Sequence, residues 1–145
     1  MTTAGLRSSG GSTTDRVLVV GDESALGVAT YLNERHEVFL LSEDPDAVRT
    51  ASASGVEARR TAVGDGGRLR KHTGDVAGAV VATDRDRLTL LVAQLLRTVC
   101  DVEDVTAVVN DARHLDLFEE LDVRPIHGSS LVGPAVDDTL WGSEQ

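Results

Sequence analysis

The sequence predicts an α/β protein built on one doubly wound, six-stranded parallel sheet. Three features predict it. Short runs of Val, Leu and Ala, of strand length, alternate with stretches whose apolar residues recur at helical spacing. The first run, Val17 to Val20, turns on Gly21 directly into such a stretch, with Ala25, Leu26, Ala29 and Leu32 at helical intervals. The alternation then continues to a sixth strand, so every connection is a crossover, and right-handed crossovers favour parallel neighbours.

Each element has its own grounds. Arg16 to Leu32 reads as a strand, a Gly-containing turn and a helix whose N-terminus lies at the strand's carboxyl end. That is the first half of a dinucleotide-binding βαβ unit. Its unpaired N–H groups and dipole make the turn an anion site. Gly27 marks a place for the helix to lie close to its sheet. Glu37 to Leu41 is a second buried strand, after a loop at Glu34 to His36. Ser42-Glu43-Asp44-Pro45 then starts a helix, which runs to about Ser54 and ends on Gly55. Val56 to Val63 is a third strand, less apolar, as suits a sheet edge. Gly64 to Gly67 is a turn and Arg68 to His72 a short helix. Ala77 to Ala82 is apolar throughout, which predicts a central strand covered on both faces. From Asp84 onward, Leu88, Leu91, Val92, Leu95, Leu96 and Val99 mark a long amphipathic helix. Asp104 to Val109 is the fifth strand, and Leu115, Leu117, Phe118 and Leu121 lie on the next helix. Val123 to Ile126 is a short sixth strand at an edge, where Pro125 is tolerated. Ser129 or Ser130 caps a last helix to about Leu140, with Pro134 inside it. The expected architecture is a Rossmann-type three-layer α/β/α domain with strand order 3-2-1-4-5-6. Residues 1–15, rich in Ser, Thr and Gly, read as a flexible tail, 16–141 as the domain, and 142–145 as a short C-terminal tail.

Composition narrows the function classes. A chain of 145 residues suits one domain with a proper core, and with 3% aromatics that core is made of Val, Leu and Ala. The formal charge of −10 argues against nucleic acid, whose phosphates require a basic face. Lys71 is the only lysine, and aspartates outnumber glutamates. Two readings fit that bias: a halophilic protein, adapted to salt that screens charge within about 3 Å at 1 M, or codon preference in a GC-rich genome. Cys100 stands alone, so it forms no internal disulfide. No apolar run approaches the roughly 20 residues of a membrane span, and the N-terminus lacks a signal-peptide core. A cytoplasmic chain is expected, with any membrane role exerted through a partner. His36, His72, His114 and His127 lack metal-ligand spacing and read as surface residues. There is no G-x-S-x-G, and Cys100 lacks a neighbouring base. The acidic pairs Asp84/Asp86 and Asp137/Asp138 read as solvated faces.

The first turn departs from the dinucleotide fingerprint G-x-G-x-x-G. The chain offers Gly21-Asp22-Glu23-Ser24-Ala25-Leu26-Gly27, without the middle glycine and one residue too long. Two readings stay open for it. Asp22, Glu23 and Ser24 either belong to a working phosphate loop or cap the helix themselves. In the second case their carboxylates would repel a pyrophosphate, by about 1 kcal/mol per charge at 4 Å in water.

The chain as a whole resembles the N-terminal domains of the Trk-type potassium-uptake regulators (TrkA N-terminal, or RCK N-terminal, domains). The resemblance runs from Arg16 to Thr139. It is carried by VLVVG at Val17–Gly21, LSEDPDAV at Leu41–Val48, VGD at Val63–Asp65 and GAVVATDRDRLTLLVAQLLR at Gly78–Arg97. VVND at Val108–Asp111 and LFEELDVRPI at Leu117–Ile126 complete it. It implies a domain that binds NAD(H) or an adenine nucleotide, associates as a dimer or higher oligomer, and gates a membrane potassium channel or transporter by changing shape. Carried over by position, the phosphate loop falls on Gly21 to Gly27. The ribose-gripping acid falls on Ser42, with Glu43 one position on and 22 residues after Gly21. The pair near the adenine falls on Gly64 and Asp65, and the residues after the fourth and fifth strands on Thr83, Asp84, Asn110 and Asp111. Each also has a structural reading: Gly64-Asp65 as a turn, Thr83-Asp84 as the cap of the long helix, Asn110-Asp111 as the cap of the next.

Three functions compete on this footing. One is a non-catalytic, regulatory nucleotide-binding component of a potassium uptake system, acting in trans on a separate membrane subunit. Another is an NAD-dependent oxidoreductase, which is disfavoured because the nucleotide fold occupies nearly the whole ordered chain. The third is a scaffold that has lost its nucleotide and serves as a dimerisation or protein-interaction module. Leu131, Val132, Val136, Leu140 and Trp141 form an apolar set that suits either a dimer contact or packing on the chain's own sheet.

Overall fold

The computed structural model describes residues 16–128. The N-terminal tail, the last helix with its apolar set, and Asp137/Asp138 lie outside the described residues. Eleven principal elements alternate along them. They are β1 (Arg16–Gly21), α1 (Leu26–Asn33), β2 (Glu37–Ser42), α2 (Pro45–Ala53), β3 (Glu57–Arg60) and α3 (Gly66–Arg70). Then follow β4 (Gly78–Ala82), α4 (Asp86–Thr98), β5 (Val105–Val109), α5 (Leu115–Glu119) and β6 (Arg124–His127). Single 3-10 turns at Glu23–Ala25 and Ala112–His114 lead into α1 and α5. The six strands form one parallel sheet in the order β3-β2-β1-β4-β5-β6. The predicted fold class and strand order are therefore the observed ones.

Alternation within β1 sorts the core into two layers. Val17 and Val19 face one side, where Val28, Ala29 and Leu32 of α1 and Ala51 of α2 cover them. Leu18 and Val20 face the other, against Leu69 of α3, Val92 and Leu96 of α4, and Phe118 of α5. β1, β4 and β5 are buried on both faces, so they read as near-continuous apolar runs, with the buried Thr106 inside β5. The helix ends follow local rules. Asp44 accepts the Asp46 N–H at 2.9 Å with Pro45 beginning α2, and Gly55 leaves that helix with φ +88°.

Several boundaries differ from the sequence expectation. β3 ends at Arg60 because its only neighbour, β2, ends at Ser42. The last ladder bond is Thr61 N–H to the Ser42 carbonyl, and the Val63 N–H donates to the Glu43 side chain instead. α3 starts two residues earlier than expected, because Asp65 accepts from the Gly67 and Arg68 N–H groups. Gly27 is exposed and a Cβ there would meet nothing, so it marks no close approach. α5 ends at Glu119, which leaves Leu121 packing on the core from the following turn, and Leu117 is 48% exposed.

At the amino edge Arg16 gathers the sheet. Its guanidinium lies 3.4 Å from Asp75 and 3.9 Å from both Glu37 and Glu57, over the ring of Phe39 at 5.0 Å. His72 packs against the same ring, 5.4 Å between centroids. Burial, and then the nearby Arg59, Lys71 and Arg16 charges, push its pKa down. The four histidines are thus half-buried rather than surface residues.

Candidate functional site at the carboxyl edge

The carboxyl ends of β1 and β4 are pinched together. A Cβ on Gly21 would stand 1.9 Å from the Ala82 carbonyl oxygen, so no side chain fits while the two strands keep this spacing. The next residue turns the pinch into a clasp. The Asp22 N–H reaches the Ala82 carbonyl at 3.4 Å, and its carboxylate accepts the Asp84 N–H at 3.0 Å and the Ser24 N–H at 2.8 Å. Burial opposes ionisation of Asp22, but the Asp84 and Ser24 hydrogen bonds outweigh it and hold the pKa below the usual aspartate value. The carboxylate therefore occupies the anion position of the turn, as the self-capping reading expects.

Beside the clasp lies a cleft of about 200 Å³. Five predicted site residues meet there: Gly21, Asp22, Ser42, Glu43 and Thr83. Asp44, Val63, Arg85 and Leu88 complete its wall, and none of the four was among the predicted site residues. Ser42 is fully buried and its hydroxyl accepts the Asp44 N–H at 3.0 Å. Glu43 spends one carboxylate oxygen on the Val63 N–H at 3.0 Å. Thr83 accepts from the Arg85 N–H at 3.1 Å and shares a buried hydroxyl contact with Thr89 at 2.8 Å. Thr83 and Asp84 do not cap α4; Arg85 is the N-cap, and it makes no side-chain cap bond. The other predicted residues stand apart from this cleft. Glu23 and Ser24 are exposed, Ala25 is buried beneath the turn, Leu26 packs at the edge of the core, and Gly64 and Asp65 are exposed on the β3–α3 loop. Asp84 and Asn110 line a second, larger cleft of about 870 Å³ between the β4–α4 and β5–α5 loops.

The chief correction concerns Asp86, which is not part of a solvated face. Its side chain is 9% exposed and takes four hydrogen bonds. The donors are Asn110 N at 2.8 Å, Asn110 Nδ2 at 3.1 Å, Asp111 N at 2.9 Å and the His114 Nδ1 at 2.8 Å. Burial works against its charge, and the Asn110, His114 and Asp111 donors more than compensate, so its pKa is depressed. Asn110 also donates to the Thr83 carbonyl at 3.0 Å, which ties the ends of β4 and β5 together. Asp111 caps the next turn through the Arg113 N–H, as expected. The sequence holds no local signal for Asp86, since an aspartate in a first helical turn ordinarily serves the helix dipole.

A model of the TrkA-N domain matches residues 17–127. The chain belongs to the TrkA-N domain family. Among curated proteins, none matches it in sequence. Among solved structures, the NAD(P)-binding domain of an exopolyphosphatase-related protein from Archaeoglobus fulgidus superposes with a TM-score of 0.70 at 16% identity, covering 90% of this chain and 99% of that one. The TrkA-N domain of the inner membrane protein ybaL from Escherichia coli gives 0.66 at 11% identity, covering 92% and 98%. The GsuK channel bound to NAD also gives 0.66, at 16% identity; 79% of this chain is covered but only 21% of the channel. Identities this low establish a common fold. No helix among the described residues of this TrkA-N domain is long and apolar enough to cross a membrane.

The residues present fit a nucleotide in part. A cleft of about 200 Å³ is below the roughly 300–1,000 Å³ of ordinary ligand pockets. The amides that would meet a diphosphate already hold Asp22. On the side expected for the nucleoside, Ser42 and Glu43 stand at the cleft at the end of β2. In this TrkA-N domain the Asp22 carboxylate stands at the turn, bonded to the Ser24 and Asp84 N–H groups, while Ser42 and Glu43 line the cleft beside it.

Proposed function

We propose that this TrkA-N domain is a regulatory, non-catalytic component of a potassium transport system, holding an adenine nucleotide chiefly by its nucleoside end. One observation carries the reading: the cleft at the carboxyl edge of β1, β2 and β4, where an open α/β sheet takes its ligand, is walled by Ser42, Glu43 and Thr83. The GsuK channel, whose solved form binds NAD, shares this fold, which supports nucleotide as the ligand class. Ser42, Glu43 and Thr83 are each engaged by a backbone N–H, which supports a role in holding a ligand. Bound ligand acts on a separate membrane subunit, or on an oligomer of this chain, through its different affinity for two arrangements of the loops.

Asp22 favours a second reading, a scaffold that has exchanged nucleotide for its own carboxylate. Calorimetric titration with NAD⁺, NADH, ATP, ADP and adenosine in molar KCl separates the two. The regulatory reading expects binding of every adenosine-containing ligand, with little gain from added phosphates. A folded protein that gives no heat with any of them leaves the scaffold.

A further inference from the structure

We propose that the cleft at the carboxyl edge takes an adenosine derivative with a positive charge at its 5′ carbon, a sulfonium or ammonium nucleoside, in preference to one with phosphate there. The inference rests on the nucleoside reading above and narrows the ligand class of the same cleft. In an open α/β sheet the end of β2 takes the ribose, and the first turn takes the group on the ribose 5′ carbon, ordinarily a diphosphate. Here that turn presents a carboxylate.

Asp22 stands on the cleft wall at the turn. Its Oδ1 accepts the Ser24 N–H at 2.8 Å and its Oδ2 the Asp84 N–H at 3.0 Å, so these amides are already spent on an internal anion. An ionised carboxylate offers about four lone-pair sites, so Asp22 keeps acceptor capacity for a ligand. Its two hydrogen bonds outweigh burial and hold its pKa below the ordinary aspartate value, which leaves the charge in place at neutral pH.

The rest of the wall has the same sign. Its charged side chains are three carboxylates, Asp22, Glu43 and Asp44, and one guanidinium, Arg85. Glu43 accepts the Val63 N–H through Oε2 at 3.0 Å, and its Oε1 has no hydrogen bond among the described residues. Asp44 uses Oδ1 on the Asp46 N–H at 2.9 Å. Arg85 is countered by the Asp84 carboxylate at 3.9 Å. Arg60 donates to the Glu43 carbonyl at 3.2 Å but does not line the cleft. Val63 and Leu88 supply an apolar stretch of wall, suited to a purine face. A surplus of carboxylate beside a nucleoside corner complements a cation and opposes a phosphate dianion.

The test is calorimetric titration of the full chain with ligands that differ in charge at one position. 5′-Amino-5′-deoxyadenosine, protonated at neutral pH, is compared with adenosine and with AMP, and S-adenosylmethionine with S-adenosylhomocysteine. The cation of each pair should bind about tenfold more tightly than its neutral counterpart, the factor for one charge contact at about 4 Å near a protein surface. AMP should bind more weakly than adenosine. A gain in either pair supports the proposal and shows which cation the cleft reads. Asp22→Asn should reduce the cation-to-adenosine ratio several-fold. Molar KCl should do the same to the unaltered protein, since it screens charge within about 3 Å. Amide shifts on titration should fall on Asp22, Ser24 and Glu43. The proposal alone is overturned if adenosine binds and neither cation gains, if AMP binds as well as the cations, or if the preference survives both Asp22→Asn and salt. Absence of binding by every one of these ligands overturns the nucleoside reading and this inference with it.

Discussion

Replacing Asp22 with asparagine isolates the charge that occupies the first turn. Asparagine is nearly isosteric and keeps one oxygen to accept the Ser24 N–H, now at 2.8 Å. Its amide nitrogen accepts nothing, so the bond from Asp84 N–H at 3.0 Å is lost. That costs about 1 kcal/mol, or a melting temperature lower by roughly 3 °C for a domain of this size. Against this stands the repulsion the carboxylate exerts on an incoming diphosphate. At 4 Å it amounts to about 1 kcal/mol per charge in water and about 4 kcal/mol at an effective dielectric of 20. Asp22 is half-buried, which places it between those limits. A gain of at least about 1.4 kcal/mol is expected, so Asp22→Asn should bind NAD⁺ tenfold more tightly than the wild type. Adenosine has no phosphate and should bind both forms alike. Calorimetry at low ionic strength and again in 1 M KCl gives a further check, because screening within about 3 Å should shrink the gain. If NAD⁺ affinity does not rise at low salt, or adenosine gains as much as NAD⁺, the carboxylate is not what closes the turn.

Other outcomes follow from the same geometry. Gly21→Ala puts a methyl group against the Ala82 carbonyl at a position only 1.9 Å away, and forcing β1 and β4 apart should cost about 3 kcal/mol, read as a lower urea midpoint. Asp86→Ala strands the Asn110 and Asp111 N–H groups and should cost about 2 to 3 kcal/mol. Because the folded pKa of Asp86 lies below its unfolded value, its contribution is complete above the ordinary aspartate pKa and fades as pH falls through the folded value. Urea titrations from pH 6 to pH 2 (roughly the span of carboxylate ionisation) should show wild type losing more stability than Asp86→Asn. Burial raises the Cys100 thiol pKa, so at pH 8 a thiol reagent should label the folded protein several-fold more slowly than the urea-unfolded chain.

Much of this was readable from the chain because it depends on local composition. Val17–Val20 and Ala79–Ala82 have too few polar atoms to face water, so they had to be central strands, and the crossover rule then arranged the sheet. Pro45 and Gly55 announced the ends of α2 in the same local way. What stayed hidden depends on partners far along the chain. The Asp22 bond to Asp84 spans 62 residues, and the bonds that bury Asp86 come from 24 to 28 residues on. Neither pairing leaves a mark on spacing or composition. The shortness of β3 was hidden for a related reason, since a strand's length is set by where its neighbour stops. Glu43 was legible as an acid near the ribose corner, but its attachment to Val63 became visible only once the loop had a shape.

The central place of β1 also bears on how the chain is made. Its neighbours are β2, residues 37–42, and β4, residues 78–82. A nascent chain that has emerged as far as Arg60 holds three adjacent strands and the two helices that cover one of their faces. It does not yet have β4. During that interval the bare edge of Val17–Val20 is the most adhesive stretch on the ribosome-bound chain, a run of apolar residues with unpaired backbone groups. Chaperone capture or premature association is expected in that window, and variants that slow translation between codons 60 and 82 should lower soluble yield while leaving the stability of the finished protein untouched.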